Sequence, residues 1–146
     1  MIKTLILLPV RLSSMITILL LASLLAFVFY NGNQPMTVPE AKGLTYIQFM
    51  DDRWQATQNL PEECQARWTT IWLTHLPLDL LYGTLFTAKA LYPAAPIRIG
   101  PTSVTVPKSI TWSEAPATFW SVVEQMGVIT FVRVQGRECV LPPVQS

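Results

Sequence analysis

The chain has 146 residues, 51% of them hydrophobic, with ten Lys and Arg, nine Asp and Glu, and a net charge of +1. That length holds one modest domain beside a membrane segment, and the balanced charge excludes the basic face that nucleic-acid binding requires. Twelve prolines argue against long uninterrupted helices, and no repeat or low-complexity run occurs.

Residues 1–11 form an expected cytoplasmic N-terminus, apolar except for Lys3 and Arg11. Residues 12–30 read LSSMITILLLASLLAFVFY and carry no charge. As a helix they reach about 28 Å, close to the hydrocarbon thickness of a bilayer. The spacing predicts a transmembrane anchor. Lys3 and Arg11 resist translocation and hold the N-terminus in the cytoplasm. Phe27, Phe29 and Tyr30 gather at the far end, where aromatic rings favour the interface. A cleaved signal peptide would need a shorter apolar run and a small-x-small site, and neither precedes Asn31. Residues 31–36 are a linker, and residues 37–146 are expected as one exported domain, periplasmic or extracellular. Eight basic and nine acidic residues leave that part near neutral.

Thr37-Val38-Pro39-Glu40 has the form of a capping box and predicts a helix to about Thr57, with Leu44, Ile47, Met50 and Trp54 near helical spacing. Pro61, Glu62 and Glu63 suit the start of a second helix. Cys64, Trp68, Ile71, Trp72 and His75 share its face. Pro77 is expected to end or kink it, with a third helix from Pro77 to Leu91. Residues 68–86 are apolar enough to raise a second span. The ionisable His75 and Asp79 at its centre, with Pro77 between them, favour a domain core instead. Pro93, Pro96, Pro101 and Pro107 exclude helix from the next stretch, where 97–99 and 103–106 alternate like short strands. Ser113-Glu114-Ala115-Pro116 starts a fourth helix with a stripe of Phe119, Val122, Val123 and Met126, ended by Gly127. Residues 128–134 read as a strand, turned by Gln135-Gly136 into Arg137 to Leu141. The expected fold class is α+β: a transmembrane helix, then about four helices and a late antiparallel hairpin.

Cys64 and Cys139 are the only cysteines. An exported domain with two thiols favours a disulfide over two separately buried thiols. His75 and Asp79 stand at i and i+4, the spacing of an acid/base pair, with Pro77 disturbing the helix between them. Cys64 projects onto the same face, but the spacing is not that of a zinc site. A structural histidine near a helix end accounts for His75 without chemistry. Phe49-Met50-Asp51-Asp52 resembles the Tyr-Met-Asp-Asp tetrapeptide of reverse transcriptases, whose aspartates hold catalytic metal ions. The resemblance covers four residues and brings neither the further aspartate motif nor the palm domain. The expected site is a solvated helix face beside Arg53. No Gly-x-Ser-x-Gly, Walker A loop or dinucleotide fingerprint occurs. No catalytic residue, metal or cofactor is expected.

Five tryptophans lie after residue 30. So many large rings are hard to hide in one small core, and tryptophan is prominent among binding hot spots. Trp112 and Trp54 are the first candidates for an exposed contact. The expectation is a non-catalytic accessory subunit of an envelope assembly, such as a secretion, conjugation or respiratory complex. Its partners would be the bilayer and other envelope proteins, with no small-molecule ligand. The alternatives are a small anchored enzyme using His75 with Asp79 or a cysteine, and a ligand-binding or sensing module.

Overall fold

The computed structural model describes residues 2–41, 43–133 and 139–144. It resolves two compact units, Met1–Gln34 and Pro35–Ser146. The first is a single helix, α1 (Ile2–Gly32), apolar on every side and containing Pro9. Its end is finished by two asparagines. Asn31 Nδ2 donates to the Phe27 carbonyl at 2.9 Å and Asn33 Nδ2 to the Phe29 carbonyl at 2.8 Å. Each adds a side-chain donor to a carbonyl of the last turns, and the Phe29 carbonyl also accepts from the Asn33 N–H at 3.2 Å.

The second unit is helical. After a 3₁₀ turn at Pro39–Ala41 come α2 (Tyr46–Gln58) and α3 (Glu62–Leu91). A 3₁₀ turn at Trp112–Glu114 leads into α4 (Ala115–Val128), which continues as a π turn over Ile129–Arg133. The first helix of this unit starts later than the Thr37 box predicts. Gly43 adopts φ 76°, a left-handed conformation that stops the Pro39 turn after one round. A second box does the capping. The Thr45 hydroxyl accepts from the Gln48 N–H at 3.2 Å, and Gln48 Oε1 accepts from the Thr45 N–H at 3.1 Å. An isolated antiparallel bridge between Pro35 and Thr45 closes the loop.

Pro77 neither ends nor splits α3, which runs for 30 residues. Its ring lies on the exposed side of the helix. The prolines therefore do not shorten this helix as composition suggests.

The α+β expectation is overturned. The chain is 72% helical, and no strand or sheet forms among the described residues. Four of residues 128–133 are β-branched yet the stretch stays helical, because the π turn drives Phe131 into the core against Trp68 and Trp72. Packing overrides β propensity here. Gly127 does not terminate α4 for the same reason. Gln135-Gly136 and Arg137 lie outside the described residues, and 139–141 is irregular. Residues 103–106 find no strand partner either. The Gln125 side chain substitutes for one, accepting from the Thr105 N–H and donating to its carbonyl, both at 2.8 Å.

The core joins Met36, Val38, Phe49, Cys64, Trp68, Val128, Phe131 and Val144. Arg53 ties the C-terminal segment to α2. It is fully buried, held by the Asp52 carboxylate at 2.6 Å, and donates through Nη1 to the Pro142 carbonyl at 2.7 Å. One glycine lets two helices close in. A Cβ on Gly83 would meet the Phe119 ring at 2.9 Å, so only glycine fits that point of the α3–α4 contact. Gly127 lies against Tyr46, His75 and Phe49.

Candidate functional site

The sequence marks His75 and Asp79, and the structure brings them together. Continuous helix through Pro77 preserves the i, i+4 register, and His75 Nε2 meets Asp79 Oδ2 at 2.9 Å. The contact has ion-pair distance without hydrogen-bond alignment, and His75 Nδ1 has no hydrogen-bond partner among the described residues. His75 is 3% exposed and Asp79 1%. Phe131 stands edge-on to the imidazole at 4.6 Å between centroids, and Trp72 closes another side at 6.2 Å.

Two further polar groups join them from neighbouring helices. Glu124 on α4 is buried and accepts from Trp120 Nε1 at 2.9 Å. The backbone of Thr37 also hydrogen-bonds its carboxylate. Tyr46, the first residue of α2, packs edge-on to Trp120 at 5.2 Å. Burial, and then the charges of Asp79 and Glu124, push the Tyr46 hydroxyl far above its ordinary range. It therefore remains a neutral phenol at physiological pH. Sequence reasoning did not single out Tyr46 or Glu124. The signal for Glu124 was available, as it is the only ionisable residue between Ala115 and Val132.

This cluster has the residue types of acid/base chemistry without access. Substrate cannot reach an imidazole and carboxylate closed off on all sides. Cys64 is not available to them, because it is bonded to Cys139 with Cα atoms 5.4 Å apart. Among the described residues no group of three or more His, Cys, Asp or Glu is placed to hold a metal ion. Asp52 of the Phe-Met-Asp-Asp stretch is engaged by Arg53, and Asp51 is exposed to solvent.

The surface carries large apolar groups. Trp112 is 69% exposed and stands edge-on to Tyr92 at 6.1 Å. Trp54 is 40% exposed and edge-on to Trp72 at 5.3 Å. Trp68 and Trp120 are buried and each donates its indole N–H, Trp68 to the Cys139 carbonyl at 2.9 Å. Near the end of α3, a cavity of about 610 Å³ is floored by Phe86, Ile97, Ile99 and Val106 and edged by Arg98 and Lys108.

No known protein family, characterised protein or solved structure matches the chain, so its class rests on the residues themselves. That class is a small helical protein with a disulfide and an N-terminal helix long and apolar enough to cross a membrane.

Proposed function

We propose that this chain is a membrane-anchored, non-catalytic subunit that docks on partner proteins of an envelope assembly. Secretion, conjugation and respiratory complexes are the settings that suit it. Its N-terminus lies in the cytoplasm, and α2 with the Cys64–Cys139 bridge lies on the exported side. Lys3 and Arg11 support that orientation, and a disulfide is kept in an oxidising compartment.

The observation that carries the reading is the outer face of α2. Ile47 and Trp54, two turns apart, are both exposed, and Asp51 and Gln58 flank them. An exposed indole within a polar rim is the composition of a binding hot spot. The partner it fits offers an apolar pocket with a cation at its edge for Asp51. The closed His75–Asp79 pair supports the non-catalytic part, since it holds α3 internally and meets no substrate.

The test is affinity capture of the full chain after gentle detergent extraction. Trp54→Ala should lose a partner that the native chain retains, with a penalty of 1 kcal/mol or more, about the threshold of a hot spot. Its melting temperature should stay near the native value. Equal capture by Trp54→Ala and the native chain overturns this surface.

A further inference from the structure

The connection from Tyr92 to Thr111, between α3 and the turn before α4, contains neither helix nor strand. Connections of that length are uncommon inside a small domain unless they are disordered or carry a function. This one is pinned along its length. Lys89 Nζ donates to the Pro93 carbonyl at 2.7 Å and to the Ala95 carbonyl at 2.9 Å. The Ile110 N–H donates to the Ala90 carbonyl at 3.0 Å. Between these ties, the Gln125 amide holds both backbone groups of Thr105. The segment is held in one shape, and that shape walls the cavity of about 610 Å³ at the end of α3.

The Gln125 clamp also fixes the direction of the backbone. One amide bonds the N–H and C=O of a single residue only when both point the same way, as they do in a β-strand. Thr105 is therefore extended, and its edge toward α4 is taken. Successive residues of an extended chain turn their backbone groups to opposite edges, so those of Val106 point away from α4. Neither has a hydrogen-bond partner among the described residues. On the other wall, the N–H groups of Arg98 and Ile99 are likewise unpaired among the described residues. The side chains alternate with the period of a strand. Ile97, Ile99, Val104 and Val106 are half-buried, whereas Arg98 and Thr105 between them are exposed. Both walls are strand edges that lack a strand.

The floor of the cavity is apolar, with Phe86 and Ala90 of α3 both buried. Its rim is basic. Arg98 and Lys108 are exposed, and neither makes an ion pair or hydrogen bond among the described residues. Lys89 is already engaged by carbonyls. Glu114, the only acid between Asp79 and Glu124, accepts from the Thr111 hydroxyl at 2.9 Å and lies on the α4 side of Val106 and Pro107. The matching occupant brings apolar groups inward, negative charge outward, and backbone partners for Val106, Arg98 and Ile99. An extended peptide of alternating apolar and acidic residues brings all three, because its side chains change face at the same period. A second copy offering these edges would set Arg98 and Lys108 against like charge, which is unfavourable across a strand pair. A fatty acid would cover the backbone groups without bonding them.

We infer that this groove takes an extended, alternating apolar and acidic peptide of a partner protein by strand addition, with its acids on Arg98 and Lys108. The inference rests on the docking function proposed above and gives it a second contact, built from elements other than α2.

The test is fluorescence anisotropy of a labelled, end-blocked peptide of alternating valine and glutamate, titrated with the full chain in detergent micelles; micelles without protein set the baseline. The peptide should bind, and the same peptide with lysine for glutamate should not. Arg98→Glu/Lys108→Glu should weaken binding of the acidic peptide by about tenfold and let the basic peptide bind. Both positions are exposed, so its melting temperature should match the native value. N-methylation of the peptide's backbone amides should abolish binding. Binding of neither peptide, equal binding of both, or binding that survives N-methylation overturns strand addition. Octanoate that binds the native chain but not the double variant, with no peptide binding, overturns the peptide and assigns the groove to an amphiphilic anion. Capture by the Trp54 surface is read separately. If that capture persists while the peptide fails, the docking reading stands without this groove; if the peptide binds while Trp54→Ala captures normally, the groove stands and the α2 surface falls.

Discussion

Replacing Asp79 by Leu leaves His75 buried with neither of its ring nitrogens paired to protein. Both side chains are shut from water, at 3% and 1% exposure, so solvent does not screen the change. Removing one partner of a buried pair costs about 3–5 kcal/mol, whereas replacing both by apolar groups is often neutral or stabilising. The remaining imidazole keeps its ring contacts with Phe131 and Trp72, which places Asp79→Leu at the low end, about 3 kcal/mol. In His75→Phe/Asp79→Leu the new ring packs against Phe131 and Trp72, and most of that loss should return. The coupling between the sites should then reach about 2 kcal/mol, within the range for residues in direct contact. Unfolding of the full chain in detergent micelles, followed by tryptophan fluorescence, measures all four proteins. Additive single and double variants, or an Asp79→Leu cost below about 1 kcal/mol, would refute a structural pair. The same proteins test chemistry: a double variant that is folded but inactive in cells would refute the non-catalytic reading.

Cys64→Ser should lower stability by about 4 kcal/mol on the loop-entropy scale, because the bridge closes a separation of 75 residues; denaturant titration of the oxidised and variant chains reads it. Gly83→Ala should destabilise by about 1–3 kcal/mol through the Phe119 ring, and Phe119→Leu in the same chain should restore part of the loss in a thermal melt. Glu40 is held below its usual carboxyl range, first by backbone hydrogen bonding and then by Arg133, whose Nη2 approaches within 2.6 Å. Its contribution is present above the ordinary value of 4.5 and lost as pH falls through the lower folded-state value. Glu40→Gln should therefore soften acid unfolding by less than about 1 kcal/mol, as befits a half-exposed pair, and change nothing at low pH.

Several features were legible in the residues alone. The uncharged run from Leu12 to Tyr30 specifies an apolar helix because nothing within it competes for water. The two cysteines and the exported setting expected for them pointed to the bridge, and the i, i+4 spacing paired His75 with Asp79. Composition misled where long-range packing outweighs local preference. Pro77 costs α3 one backbone hydrogen bond, yet its ring faces outward and the buried side of the helix supplies far more contact than that bond. The β-branched run after Gly127 stays helical because only a helical path carries Phe131 onto Trp68, Trp72 and His75. Gly43 moved the start of α2 from Thr37 to Thr45 by taking a left-handed turn that no pattern of charges reveals. Periodicity also showed α3 to be apolar but not which way its acid and base turn. That depends on α2 and α4, whose Tyr46 and Glu124 complete a polar interior, and it is why the outer face of α3 is left to leucine.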